Sequence, residues 1–279
     1  MPQLISYACW APILLHMNAD SRIQISLRCP SFKTLDSQIP TKVNKLQLQK
    51  YYGVKMDHVK FEIVPFMQKF EGRLIPFYQI VVCRKNLKTI LARATEKKAY
   101  VDVAKCLIQK IFSKNFRIGS AIVHEYLRNL ISIGFDVTRL GNAKSLIFHD
   151  IVHMKDIVLL RNTRVFFSQI HWDSASITKM IRDWQEKQPP VGQRYTVKER
   201  NVPAAKLFTE LVKKFPEATI GEIPETRGEE LFSHCITLPV STDTEFNFYI
   251  LNHCEELEPA DNFIFMFFVI HPKGYAYPH

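Results

Sequence analysis

Chemistry in this chain would have to come from a few histidines, cysteines and carboxylates. His149 and His153 form H-x3-H, half of a zinc-ligand pattern, with Asp150 between them and His171 downstream. No cysteine pair accompanies them, and the same spacing suits surface histidines at a strand end, so no metal site is expected. Two identical dipeptides, His234-Cys235 and His253-Cys254, would bring four N/S ligands together if their strands paired in register. Successive strand side chains point to opposite faces, however, so each dipeptide presents one residue per face. A four-ligand site is therefore not expected. Glu255, Glu256 and Glu258 read as a solvated charge run. There is no GxSxG elbow, no HExxH and no local Cys–His signature. With nine glycines and no GxGxxG or GxxxxGK[ST] string, phosphate loops are absent too. The residues predict neither catalysis nor a cofactor, although a triad assembled from distant residues leaves no local trace.

The remaining candidate chemistry is binding by apolar side chains. Trp10, Ile13, Leu14 and Met17 fall at i, i+3, i+4 and i+7, one face of a helix. Pro12 sits inside that pattern, and proline is tolerated only in the first turn, so the helix is expected to start near Cys9 or Trp10. Asp20 is the expected N-cap of a second helix carrying Ile23 and Leu27, ended by Pro30. A third short turn carries Phe32 and Leu35 and stops at Pro40. These helices hold Trp10, Leu14, Met17, Leu27 and Phe32. A segment of about 40 residues is near the lower limit for an independent core. The set therefore buries against the chain's own strands or against a partner in helix-in-groove fashion.

The elements that follow read as strands and helices in alternation. Val43, Leu46 and Leu48 suit a strand, as do Val59, Phe61 and Ile63, and Phe77–Cys83 is a continuous apolar run of a buried strand. A helix over 95–112 carries the stripe Tyr100, Val103, Ala104, Leu107, Ile108 and Ile111. Strands are expected near 117–124, 144–149 and 164–170. A helix capped by Asp173 or Ser174 then carries Ile177, Met180, Ile181 and Trp184. Beyond Gln188-Pro189-Pro190-Val191-Gly192 come a strand, a helix over 203–215 and a further strand. Three more strands close the chain, at 235–240, 246–251 and 263–271.

Charge is unevenly spread over the 279 residues and the formal net charge of +10. Residues 1–120 hold 20 Lys/Arg against 7 Asp/Glu, and residues 191–279 hold 8 against 13. With the Pro-Pro break, this predicts a boundary near residue 189. The basic half, with its singly spread lysines and no RNP-like string, makes nucleic acid a third reading behind two kinds of protein binding. The longest apolar run, Phe263 to Ile270, has eight residues, against the ~20 a bilayer span needs, so no membrane partner is expected. The first residues lack a basic start and an A-x-A site and read as mature sequence rather than a signal peptide. Six scattered cysteines without CxxC suit reduced thiols in the cytosol or nucleus.

Ser26-Leu27-Arg28-Cys29-Pro30-Ser31-Phe32-Lys33-Thr34-Leu35 resembles the second half of an F-box, and Ile13-Leu14-x-x-Met17 followed by Asp20 resembles its first helix and turn. Further segments are similar to the nematode-expanded F-box C family: Ala19 to Ser26, Ile39-Pro40, Asn44-Lys45-Leu46, Lys88-x-Ile90, Trp184 and Pro190-Val191-Gly192-x-x-Tyr195. The sequence departs from that family at Pro12 and at Gln193, where the family tends to have Thr. The resemblance implies a non-enzymatic adaptor that brings an unknown protein substrate to a cullin-RING ubiquitin ligase through a Skp-type adaptor. It assigns partner binding to Ile13, Leu14, Met17, Leu27 and Phe32.

The expected fold is α+β in three parts. Residues 1–40 form an F-box-like helical segment. Residues 41–189 form α/β strand–helix units compatible with a short leucine-rich-like array. Residues 190–279 form an α+β unit with antiparallel strands.

Overall fold

The computed structural model describes residues 7–70, 72–85, 87–93, 98–112, 116–150, 160, 162–168, 172–200, 204–222, 235–252 and 263–278. The fold is α+β, and the chain divides into two compact units, Met1–Lys144 and Ser145–His279. The break expected near residue 189 is instead a connection inside the second unit. There Gln188 takes a left-handed conformation (φ 47°) and its N–H closes the helix on the Trp184 carbonyl at 2.8 Å. Pro189 and Pro190 then keep the chain from continuing as helix. The proline signal was a helix stop, not a domain linker.

The first unit opens with three short helices, α1 (Tyr7–His16), α2 (Ala19–Arg28) and α3 (Pro30–Ser37). The helix α1 starts earlier than its proline suggests, at Tyr7, which leaves Pro12 as the sixth residue and the Ala8 carbonyl without its usual N–H. The N-cap of α2 is Asn18, not Asp20. Pro30 does not end α2 directly; it is the first residue of α3, where its missing N–H costs nothing.

A six-stranded mixed sheet follows: β1 (Thr41–Leu48), β2 (Val54–Met56), β3 (Val59–Phe70), β4 (Arg73–Arg84), β5 (Leu87–Arg93) and β6 (Phe116–Val123). Its order is β6-β1-β2-β3-β4-β5. The strands β1 and β6 are parallel and the other neighbours antiparallel. Thr41, Val43, Leu46 and Leu48 are buried along β1, but the alternation breaks at Asn44-Lys45, where two consecutive side chains are exposed. The break coincides with Gly119 on β6, where a Cβ would lie 2.6 Å from the Asn44 carbonyl oxygen, so only glycine lets the strands approach. The helix α4 (Tyr100–Ile111) buries Val103, Ala104, Leu107, Ile108 and Ile111 of the expected stripe, with Tyr100 half-buried, and each of the larger four is worth about 1.5–3 kcal/mol relative to exposure.

In the second unit β7 (Ser145–Phe148), β8 (Arg164–Phe167) and β9 (Arg194–Arg200) run parallel. A short helix, α5 (Leu127–Ser132), follows β6 in the first unit, and between β8 and β9 of the second lies α6 (Ser174–Lys187). Its N-terminus is capped by Asp173, whose carboxylate accepts the Ser176 N–H at 2.8 Å, and it buries Ile177, Met180, Ile181 and Trp184. An antiparallel run β9-β13-β12-β11-β10-β14 completes the sheet, with β10 (Thr219–Glu222), β11 (Cys235–Pro239), β12 (Thr244–Asn252), β13 (Phe263–Pro272) and β14 (Tyr277–Pro278). Aromatic residues face one another across β12 and β13: Phe248 stacks on Phe268 and Tyr249 on Phe267, each with centroids 4.9 Å apart.

Candidate functional site

The three-helix segment carries every residue assigned to partner binding, and the structure sorts them into three groups. Leu14 and Phe32 are buried, packing with Leu35 against the half-buried Met17 and Ile39. Ile13 is 43% exposed. The side chains of Leu27 and of Trp10 lie outside the described residues, although both residues belong to helices. The expected face is thus split: Leu14 and Phe32 belong to the chain's own core. Among the described residues of α1, Leu14 alone is buried; Pro12, Ile13, Leu15 and His16 are all exposed around it, Leu15 at 62%. On α2, Ile25 is exposed as well.

What holds these helices is polar. Arg22 and Asp36, 1% and 0% exposed, form an ion pair at 2.5 Å. The rest of the guanidinium donates to four backbone carbonyls: Leu14, Asp36, Ile39 and Pro40. Ser26 Oγ donates to the second carboxylate oxygen of Asp36 at 2.5 Å. One planar fork therefore ties α1, α2, α3 and the entry to β1. Burial lowers the Arg22 pKa from its usual value. In sequence Arg22 is one more surface cation of a basic segment; the one signal for its role is the matching Asp36 within a run otherwise poor in carboxylates.

A second feature had no sequence signature. Tyr51 and Tyr52, in a short 3₁₀ turn after β1, both adopt left-handed backbone (φ 59° and 58°). The turn is braced by Glu125, whose carboxylate accepts the Tyr51 N–H at 2.9 Å, and by Tyr100, whose hydroxyl donates to the Tyr51 carbonyl. Burial, with Tyr52 and Glu125 nearby, pushes the Tyr100 hydroxyl up to about 12.

Among the described residues the histidines and cysteines do not assemble, and no group of three His, Cys, Asp or Glu is placed to hold a metal ion. His149 is exposed, its Nδ1 3.2 Å from Ser168 Oγ, while His153 and His171 lie outside the described residues. Cys235 on β11 pairs with Tyr249, and His234, His253 and Cys254 lie outside the described residues. Cys29, Cys83 and Cys106 are free thiols. Burial and a hydrogen bond to Glu62 raise the Cys83 pKa, the opposite of what a nucleophilic thiol needs.

Cys235 joins a buried polar set with Thr237, Asn247 and Glu245. The Glu245 carboxylate accepts the N–H groups of Gly274 and Ala276, both at 2.9 Å. The set pins the turn after β13, a structural task. No helix among the described residues is long and apolar enough to cross a membrane. Comparison with protein-family models, curated proteins and solved structures finds no match to the chain.

Proposed function

We propose that the chain is a non-enzymatic protein-interaction adaptor of the F-box type. In this reading its three N-terminal helices dock on a Skp-type adaptor of a cullin-RING ligase, and the rest of the chain presents a protein substrate. A cytosolic or nuclear location and reduced thiols fit that role. The observation that supports it is α1, an apolar helix that, among its described side chains, exposes Ile13 and Leu15 on either side of the buried Leu14. Such residues, with Ile25, are the type that fills a partner's groove. The Arg22–Asp36 pair holds the helices from behind, so docking would not require them to unfold. The docking set is then Ile13, Leu15 and Ile25 with the open side of Met17, while Leu14 and Phe32 support it from within. The parallel β7-β8-β9 run with α6 is the part to which a leucine-rich-like display surface would correspond.

One observation favours a second reading, a binding protein with no ligase role: Leu14 and Phe32 are satisfied within the chain. Co-purification with a Skp-type adaptor separates the two. Wild type is expected to retain the adaptor, and Ile13→Asp/Leu15→Asp to lose it with stability changed by no more than about 0.5 kcal/mol, as for surface sites. Leu14→Ala is expected to cost about 2–5 kcal/mol whatever it binds. A folded wild-type protein that never retains the adaptor would leave the second reading standing. Nucleic acid as the partner would show instead as binding to generic DNA or RNA that weakens steeply with salt.

A further inference from the structure

The lysines of the first unit are spread singly along the sequence, and strand pairing gathers them. One row of cross-strand partners runs over all six strands: Ile122 on β6, Gln47 on β1, Lys55 on β2, Lys60 on β3, Cys83 on β4 and Lys88 on β5. All six are exposed or half-buried. The rows on either side are buried, Leu46, Met56 and Val59 before it and Leu48, Val54, Phe61 and Val82 after it. Successive strand residues point to opposite faces, so one face of this sheet is core and the other is open.

The six strands hold ten Lys or Arg and one carboxylate, Glu62. Lys55 and Lys60 stand directly opposite each other, and like charges in that position destabilise a sheet. A second such pair, the exposed Lys42 and Arg117, stands across β1 and β6. Protection of a sheet edge accounts for Lys88 on β5, but not for Lys55 opposite Lys60 on inner strands. Glu62 pairs with Lys60, which leaves Lys55 and Lys88 in surplus on the row. An anion lying along the row relieves the repulsion. With strands about 5 Å apart, Lys55, Lys60 and Lys88 line a track about 15 Å long, which suits an extended polyanion crossing the strands.

The same face carries a flat stack. Phe77 and Gln79 share a face of β4 with Cys83, and their register partners are Phe66 on β3 and Arg93 on β5. The Arg93 guanidinium lies over the Phe66 ring, 5.7 Å from its centroid, and Phe66 packs on Phe77 with centroids 5.9 Å apart. An exposed guanidinium plane backed by an aromatic ring is a surface on which a nucleic acid base stacks. The cations alone would suit any polyanion; the stack beside them selects one that carries bases.

We propose that the open face of this sheet binds single-stranded nucleic acid, with phosphates on Lys55, Lys60 and Lys88 and a base stacked on Arg93. The docking residues Ile13, Leu15 and Ile25 are not part of this face, so nucleic acid is a partner beside the adaptor and does not depend on it.

Fluorescence anisotropy of labelled oligo(dT) and oligo(U), each about 15 nucleotides long, with the full chain tests it. At least one is expected to bind, with log K falling against log salt at a slope of about −2, about −0.7 for each of three phosphates. An abasic strand of the same length is expected to bind at least about tenfold more weakly, because it has phosphates and no bases. Lys55→Glu sets an opposite charge against Lys60, so it is expected to melt no lower than wild type while binding falls at least about tenfold. If it melts lower, Lys88→Gln, at an exposed position on β5, must reduce the slope by about 0.7. Lys179→Gln/Arg182→Gln, at exposed positions of α6, should bind as wild type does. Binding of neither strand at about 50 mM salt overturns the proposal, as does equal weakening by the α6 control. Polyglutamate bound as tightly as either strand overturns it in favour of an acidic protein partner.

Discussion

Each unit contains an antiparallel meander, and the two are built from different side chains. In the second unit, residues 245–250 of β12 and 266–270 of β13 are buried without interruption, so both faces of those strands are covered. Five of those eleven residues are aromatic: Phe246, Phe248, Tyr249, Phe267 and Phe268. In the first unit the β3-β4-β5 meander is buried near its base, at Val59, Phe61, Ile63, Phe77 and Ile80–Val82. Its far end exposes Met67 and Leu74, and β5 exposes Leu87 and Ile90. Its turns and edge carry cations instead: Arg73, Arg84, Lys85, Lys88 and Arg93. A strand covered on both faces can use every position for packing. A strand at the end of a sheet needs charge to discourage pairing with other chains. The same topology thus makes a core in one unit and an accessible ribbon in the other.

The largest expected effects test whether each unit depends on the interior described for it. Phe268→Ala is expected to cost about 3–5 kcal/mol, as aromatic truncations in cores do. Arg22→Met is expected to cost about 3–5 kcal/mol because it leaves the Asp36 carboxylate buried without its partner. Replacing both members, as Arg22→Met/Asp36→Leu, should recover much of that loss, since the desolvation penalty of the pair disappears with it. Denaturant midpoints on wild type, Arg22→Met, Asp36→Leu and the double variant decide. A double variant as unstable as the sum of its singles would mean that the guanidinium's carbonyl bonds, rather than the ion pair, hold the helices.

The same contrast explains how much could be read in the sequence. The β12 and β13 strands and the buried face of α6 were legible because continuous apolar runs and i, i+3, i+4 stripes report burial directly. The parallel pairing of β1 with β6 was not, because pairing partners far apart in sequence leave no local pattern. The unit boundary was misplaced because Pro189-Pro190 reports a local backbone stop, which a helix end and a domain linker share. Of the binding residues, apolar character was legible but direction was not. Ile13 and Leu14 are equally apolar, and only the position of α1 on α3 decides that one faces out and the other in. The burial of Arg22 was not legible, because charge says nothing of burial when its partner lies fourteen residues away.

An intermediate effect compares two tyrosines, one in each unit. Burial pushes the hydroxyls of Tyr195 and Tyr100 up to about 12 from an ordinary value of 10. Both are neutral in folded and unfolded chains below pH 10. Above it the unfolded chain ionises first, so stability present below about pH 10 is lost as pH rises toward 12. Tyr195 is 2% exposed, and its share is about 2–3 kcal/mol. Tyr100 is half-buried, and solvent screening makes its share smaller. Urea unfolding followed up the alkaline limb should fall less steeply in Tyr195→Phe than in wild type, and Tyr100→Phe should lie between them. Identical alkaline limbs for wild type and Tyr195→Phe would contradict the burial assigned to that hydroxyl.

The smallest effect is the most discriminating, because it asks whether the exposed ribbon does anything for the fold. Leu87 is 73% exposed and Leu74 66% exposed, so truncating either removes little that folding had taken from water. Leu87→Ser and Leu74→Ser are each expected to change stability by no more than about 0.5 kcal/mol, the range for surface sites. A serine on β5 keeps every backbone bond to β4, and Lys88 and Arg93 still charge the edge. Thermal unfolding of the two variants beside Phe268→Ala measures the contrast between the meanders on one scale. A loss of about 2 kcal/mol or more from Leu87→Ser would be a core-sized penalty. It would mean that the ribbon is covered in solution, and that the free edge is an interface between chains.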